Sequence, residues 1–235
     1  MQKPKLTIVI PARNEEGNLE RTIEDILQHI DTSTTEIIIV NDHSTDRTPE
    51  IIKNFERKYG FIKYLENTNS PGFGNTLKAG FAKAKGDFTV VMMADSSDEA
   101  SILPIMLEKG MEGYDLISGS RYCDGGKLIG GPKVQKFFSR FVSLSLHKFI
   151  KIPTKDSSNA FKMYRTKILK SLIIRENNFA ISLELTLKFF FKNARITEVP
   201  TTWKGREKGV SKFKILKQAY PYAKWYFWGL FKKWF

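Results

Sequence analysis

Five short apolar runs alternate with segments of helical periodicity through the first half of the chain, and that alternation most constrains what it can fold into. Leu6-Thr7-Ile8-Val9-Ile10 is the first run, and Leu19, Ile23, Ile26, Leu27 and Ile30 then recur at the spacing of one helix face. Residues 36–40 form a second run, followed by a helix from Thr48 with Pro49 in its first turn. Further strands are expected at 61–65, 88–93 and 115–118, with helices at 76–85 and 100–112 between them. Near-continuous apolar strands separated by helices predict a parallel sheet covered on both faces. Such sheets bind ligands beyond the carboxyl ends of their strands.

The residues that follow those strands are polar. They are Pro11-Ala12-Arg13-Asn14-Glu15-Glu16, Asn41-Asp42-His43-Ser44-Thr45-Asp46, Ala94-Asp95-Ser96-Ser97-Asp98 and Gly119-Ser120-Arg121-Tyr122. One such segment is commonly a helix cap. Four on one edge describe an acidic, hydroxyl-lined cleft with an arginine at its far side.

Charge divides the chain at about residue 127. Residues 1–126 carry 14 Lys and Arg against 20 Asp and Glu, whereas 127–235 carry 24 against 5, a net of +19 within a chain of +13. A basic half attracts phosphate-rich partners: nucleic acid, anionic lipid or a phosphorylated substrate. It holds an amphipathic basic helix at 133–148 with Phe137, Phe138 and Phe141, a helix at 182–191 and a strand within 195–203. Its tail, 213–235, interleaves lysines with Trp, Tyr and Phe, the pattern of a helix lying in a membrane interface, with Pro221 kinking it or starting a fresh helix. A helix packed on the domain with a basic outer face is the other reading of that tail. The single cysteine rules out an intramolecular disulfide and a cysteine-rich zinc site. No stretch of about 20 residues lacks charge, so a spanning helix is not expected. The Leu6–Ala12 stretch is too short for a signal-peptide core, which favours the cytosol. His29, His43 and His147 lack metal-ligand spacing.

Taken in order, these segments resemble the family-2 inverting glycosyltransferases of the GT-A fold, in particular those like dolichol-phosphate mannose synthase. The matching pieces are Ile8 to Asn18, Ile39 to Asp46, Gly72-Phe73-Gly74-Asn75 with Gly80 and Gly86-Asp87, and Met93-Ala94-Asp95. Gly119-Ser120-Arg121-Tyr122 with Gly125-Gly126 follows, then Glu198-Val199-Pro200 with Arg206, Gly209, Ser211 and Lys212. The resemblance implies an α/β fold with a Rossmann-like, mostly parallel sheet flanked by helices over 1–212, its donor half at 1–126 and its acceptor half at 127–212. The basic aromatic tail, 213–235, would be a helical appendage at a membrane surface.

The resemblance also assigns roles. Pro11, Ala12, Asn14, Glu15, Asp42 and Gly74 would bind the nucleotide of a UDP-, GDP- or CDP-sugar, with Arg13 where relatives often carry an aromatic residue. Asp95 would serve both donor and catalysis, and with Asp98 would hold Mg²⁺ or Mn²⁺, which neutralises a departing diphosphate without proton transfer. The family's usual triplet is Asp-x-Asp, and Met93 replaces its first acid. Asp98 reads equally as a cap for the helix near Ala100. Arg121 would face the reaction centre and an acceptor phosphate, because a guanidinium grips phosphate oxygens through two bonds. Arg140, Lys162, Glu184, Arg206, Ser211 and Lys212 complete the expected acceptor side, with Lys162 standing where relatives carry arginine.

A polyprenyl phosphate acceptor is already an anion and needs no general base, whereas a hydroxyl acceptor does. In that second case Glu184 or Asp156 is the first candidate. The implied enzyme is a hexosyltransferase at the cytoplasmic membrane surface, peripheral on its inner face. Some relatives pair with a separate membrane subunit, which residues 225–235 would contact. A nucleotidyltransferase is the less favoured alternative, because its glycine-rich basic loop after the first strand is absent. Nucleic-acid binding has only net charge behind it. A degenerate, inactive relative stays open through Met93.

Overall fold

The computed structural model describes residues 3–206 and 215–234. Its centre is a seven-stranded sheet of β1 (Leu6–Ala12), β2 (Thr35–Asn41), β3 (Ile62–Glu66), β4 (Phe88–Val91), β5 (Leu116–Ser120), β7 (Lys162–Arg165) and β8 (Ile196–Pro200) in the order β3-β2-β1-β4-β7-β5-β8. Two further strands, β6 (Lys127–Ile129) and β9 (Thr202–Lys204), pair in parallel as a small side sheet. The helices are α1 (Leu19–Leu27), α2 (Thr48–Lys58), α3 (Phe73–Lys83), α4 (Leu103–Met111), α5 (Lys133–Ile150), α6 (Thr166–Lys170), α7 (Ile181–Phe191) and α8 (Ile215–Trp234).

The expected pattern of apolar strands and covering helices is present. Alternate residues of β1 and β2 point to opposite faces, so Ile8, Ile10, Ile37 and Ile39 join one core cluster and Val9, Ile38 and Val40 the other. The first cluster takes Ile23 and Ile26 from α1 and Leu103 and Met106 from α4, and the second takes Leu77 and Phe81 from α3 and Leu185 and Phe189 from α7. Gly80 of α3 lies so close to the sheet that a Cβ would meet Val9 Cγ1 at 2.5 Å.

One strand departs from the all-parallel expectation. β7 lies between β4 and β5 and runs antiparallel to both. Its four residues, Lys-Met-Tyr-Arg, carry charge at both ends and give no apolar run, so the sequence pattern does not mark it. The reversal matters for the site: β7 begins at the edge where β1, β2, β4 and β5 end, and therefore delivers residues 156–160 there. The strand expected within 195–203 is two strands, β8 and β9, broken at Thr201.

A third core cluster joins the last helix to the domain. Trp225 is buried against Leu146 and Ile150 of α5 and Leu183 and Leu187 of α7. The Trp225 indole donates to Glu176 Oε1 at 2.7 Å, and the Tyr222 hydroxyl donates to the Phe179 carbonyl at 3.2 Å. α8 runs through Pro221 as one helix. Phe137, Phe138 and Phe141 on α5, and Tyr220, Phe227 and Phe231 on α8, remain exposed. Among the described residues no helix is long and apolar enough to cross a membrane.

Candidate active site

A cleft of about 1120 Å³ follows the carboxyl edge of the sheet and continues between α5 and α8. Pro11, Ala12, Glu15, Asp42, Asp95, Asp98, Arg121 and Arg206 all line it, so the sequence-derived cleft exists and holds its acids and both arginines together. Three residues with left-handed backbone sit beside those acids: Asn14 (φ 52°), His43 (φ 56°) and Ser96 (φ 56°). Each turns the chain sharply next to Glu15, Asp42 or Asp95. Non-glycine residues in that region cost of order 1 kcal/mol or more and gather at functional sites.

The acids that follow the strands are held by the protein. Asp42 accepts from the Asn67 amide at 2.7 Å and from the Gly72 backbone N–H at 3.1 Å, with an Arg13 nitrogen 3.7 Å away. Arg13 thus covers Asp42 as a cation. Asp95 accepts from the Ser97 N–H at 3.2 Å and from Arg206 Nη2 at 2.8 Å. Arg206 Nη1 lies 3.4 Å from Glu15, and Glu15 also accepts from Asn18 at 2.9 Å. Arg206 therefore bridges Glu15 and Asp95, two carboxylates that the resemblance gave to the donor, whereas it put Arg206 on the acceptor side. The side sheet explains this: Lys204 N–H bonds to the Ser97 carbonyl at 3.0 Å, anchoring β9 on the loop that carries Asp95.

Asp98 accepts from the Met93 N–H at 2.9 Å, so its bond closes the turn after β4 and does not cap a helix. Burial raises its carboxyl to about 7, Asp95 adds to the rise, and the Met93 bond and Arg121 oppose it. Among the described residues, no group of three His, Cys, Asp or Glu side chains is gathered for a metal. Asp95 and Asp98 nonetheless fit a cation that arrives with a diphosphate, because such ions take one or two carboxylates and fill their other positions with phosphate oxygens and water.

Arg121 is anchored in the floor. Its Nε donates to Asp156 Oδ2 at 2.7 Å, its Nη2 to Asp156 Oδ1 at 2.9 Å, and its backbone N–H to the same carboxylate at 3.0 Å. Nη2 also reaches Ser139 Oγ at 3.0 Å. Burial alone would lower the guanidinium pKa, but the Asp156 charge and hydrogen bonds override it and raise it above the usual value. Nη1 has no protein hydrogen bond among the described residues.

Several expected site residues do other work. Asn14 does not line the cleft; its side-chain Oδ1 accepts from Thr45 N–H at 2.8 Å and braces the loop after β2. Gly74 packs against the backbone of Asn177, which a Cβ would strike at 2.6 Å. Lys162 is fully buried in β7, its ammonium donating to the carbonyls of Ser157 and Asn159, and burial brings it down to about 7. It supports the 156–160 loop from beneath and is closed to an acceptor phosphate. Glu184 is also fully buried, accepting from the backbone N–H groups of Arg175 at 2.7 Å and Glu176 at 2.8 Å and pairing with Lys188. Asp156 is consumed by Arg121, so neither proposed base reaches the cleft. Arg140 is exposed on α5, away from the cleft lining. Ser211 and Lys212 lie outside the described residues.

The acceptor end contains residues that motif reading did not single out. Phe138 and Phe141 of α5 face Tyr222, Tyr226 and Phe227 of α8 around the cleft, with Trp203 and Leu128 of the side sheet on its flank. Ser139 accepts from Arg121 and lies 2.9 Å from both Tyr122 Oη and Ser158 Oγ. The aromatic content of both helices was the available signal; that they close on one cavity was not.

The mostly parallel sheet, its one reversed strand and the acid-lined carboxyl edge define a GT-A-type α/β fold. Glucosyl-3-phosphoglycerate synthase from Mycobacterium tuberculosis, crystallised with Mn²⁺, UDP and glucosyl-3-phosphoglycerate, superposes with a TM-score of 0.69 at 18% identity, covering 98% of this chain and 80% of that one. The glycosyl transferase family 2 model matches residues 7–173, and the chain belongs to that family. The chain is 31% identical over 231 residues to a dolichol-phosphate mannosyltransferase of Pyrococcus furiosus, covering 94% of this chain and 64% of that protein's length. It is 28% identical over 214 residues to an undecaprenyl-phosphate mannosyltransferase of Micrococcus luteus, covering 88% and 87%.

Proposed function

We propose that the protein moves a hexose from a nucleotide sugar to a polyprenyl phosphate, with inversion at the anomeric carbon, at the cytoplasmic face of a membrane. The observation that carries this reading is the continuity of one cleft, polar at Asp42, Asp95 and Arg121 and aromatic between α5 and α8. The lipid-phosphate acceptors named in the two relatives, and the nucleotide in the structural neighbour, agree with it.

In this reading Asp42 accepts a hydrogen bond from the base or ribose, framed by Pro11, Ala12 and Glu15. A divalent cation held by Asp95 and Asp98 would neutralise charge on the leaving diphosphate. Arg206, which already spans Asp95 and Glu15, turns to the diphosphate when the donor enters. Arg121 presents Nη1 to the acceptor phosphate while Asp156 fixes the guanidinium plane. An acceptor phosphate oxygen forms the new bond to the anomeric carbon as the bond from that carbon to the donor phosphate breaks, and the nucleoside diphosphate departs. Holding both reactants in line is the main contribution, because the nucleophile needs no deprotonation. The exposed aromatics of α5 and α8, with Lys133, Lys148 and Lys224 nearby, lie on anionic lipid so that the acceptor's tail stays in the bilayer. The exposed end of α8 is also the surface for a separate membrane subunit.

A hydroxyl acceptor is the second reading, and one observation favours it: the Asp98 carboxyl, near 7, has the proton affinity of a general base. The full chain should be given UDP-, GDP- and CDP-sugars with Mg²⁺ or Mn²⁺, and either a short polyprenyl phosphate or the matching polyprenol. Transfer to the phosphate alone is expected, with an inverted anomeric centre. Transfer to the alcohol, abolished by Asp98→Asn, would replace this reading with the second.

A further inference from the structure

α8 serves two cavities. It turns Tyr222, Ala223, Tyr226 and Phe227 to the cleft, and Trp225, Trp228 and Lys232 to a second cavity of about 370 Å³. The two share no lining residue, and one is mixed in charge while the other is purely basic. The cleft is lined by four acids as well as by cations, whereas the second cavity is lined by Arg175, Lys188, Lys192 and Lys232 and by no acid. Its walls are the rings of Phe191, Trp225 and Trp228, with centroids 5.4 Å apart for Phe191–Trp228 and 5.1 Å for Trp225–Trp228.

The four cations are not equivalent. Lys188 is paired with the buried Glu184 and lies 5.0 Å over the Trp225 ring, so it contributes little net charge. Lys232 lies 4.9 Å over Trp228 and 5.3 Å over Phe191, a contact that orients an ammonium without neutralising it. Arg175 and Lys192 are exposed and have no ion-pair partner among the described residues. Three uncompensated cations around an aromatic floor suit one anionic group attached to something apolar. The apolar component has a path, because Leu172 and the 79%-exposed Ile173 line the same cavity. Phe227 and Phe231, both exposed, each precede a lining residue on α8.

We propose that this cavity binds the phosphate of an anionic phospholipid headgroup, a site separate from the one that receives the acceptor phosphate. The assignment rests on the membrane-surface reading above. The phosphodiester lies among Arg175, Lys192 and Lys232, and the acyl chains pass over Ile173 and Leu172 into the bilayer. Because Trp225 and Tyr222 stand on adjacent turns of α8, a lipid seated here also holds the helix that forms one wall of the cleft.

The test uses the full chain and two triple variants with equal charge loss. One replaces Arg175, Lys192 and Lys232 with Gln; the other replaces the exposed Lys58, Lys63 and Lys83 of the first half with Gln. On phosphatidylcholine vesicles containing phosphatidylglycerol, the cavity variant should bind about tenfold more weakly than wild type, and the control variant close to wild type. Dihexanoyl phosphatidylglycerol below its micelle-forming concentration should change tryptophan emission saturably in wild type and not in the cavity variant. Transfer to a short polyprenyl phosphate in detergent should be the same in all three. Equal weakening in both triple variants would overturn the site in favour of general charge. A saturable response to inorganic phosphate, with none to the short-chain lipid, would overturn the lipid and leave a soluble phosphate. Wild type that ignores vesicles yet binds the short-chain lipid through these cations would sink the membrane-surface reading and keep the cavity.

Discussion

The ends of the cleft proposed to receive donor and acceptor are built on different principles. At the donor end Glu15, Asp42, Asp95 and Asp98 follow rigid strands, and each is already hydrogen-bonded by an amide, an asparagine or Arg206. At the other end α5 and α8 offer aromatic side chains, of which Phe138, Phe141 and Phe227 are exposed. A polar, charged reactant gains most from groups whose orientation is set beforehand. A flexible isoprenoid gains from area and from nearness to its own bilayer. Arg121 belongs to both ends: it lines the cleft, yet it is locked from below by Asp156.

That contrast can be broken at four points. Asp95→Ala should lower transfer by about a thousandfold while the fold persists, read by steady-state assay with near-native circular dichroism; activity close to wild type would remove Asp95 from the chemistry. Arg121→Ala should do more than lower activity, because it strands the buried Asp156 charge. A loss of about 3 kcal/mol in urea unfolding is expected, and the double change Arg121→Met with Asp156→Leu should recover much of it without restoring transfer.

The third point is a pH dependence. Lys162 in the folded chain loses its proton near 7, whereas an unfolded chain keeps it to about 10.5. Between those values the unfolded state binds more protons, so this residue makes stability rise with pH across that window and contributes no slope below it. Lys162→Met should flatten that limb of the stability profile measured by denaturant unfolding from pH 6 to 10; an unchanged slope would mean the ammonium stays charged in the fold. The smallest effect is expected at the aromatic rim. Phe137→Ser, at a 66%-exposed position, should leave unfolding unchanged and weaken vesicle binding by about tenfold. Equal loss of stability and binding would mean that ring packs within the protein.

The donor end was the more legible in sequence, for a physical reason. Strand ends follow from apolar runs, and a polar residue just past a parallel strand has one edge to occupy, so Asp42, Asp95 and Arg121 could be placed together from spacing and resemblance. The left-handed turns at Asn14, His43 and Ser96 were not marked, although Asn and His are among the residues that tolerate them. Second-half assignments failed where they depended on what surrounds a side chain. Lys162 and Glu184 have the composition of ligands, but β7 and the N-terminal turn of α7 bury them, and no local pattern announces a four-residue strand that pairs with distant neighbours on both sides. Arg206 was found by motif and misplaced by half, since its reach to Asp95 depends on the side sheet formed by β6 and β9. The aromatic tail allowed two readings: Trp225 packs inward as the packed-helix reading expected, while Phe227 and Phe231 stay outside, where the membrane-surface reading needs them.

The reversed strand has a consequence for how the chain comes into being. As synthesis proceeds, β4 emerges before β7, and β5 emerges before both of its sheet neighbours, β7 and β8, so β4 has one bare edge and β5 has two until the later strands arrive. Open edges of this kind invite pairing with other chains. Severing the polypeptide near residue 127 should therefore give a sticky, incomplete fragment instead of a working nucleotide-binding half, because the wedge that closes the sheet is supplied from the other side of the cut.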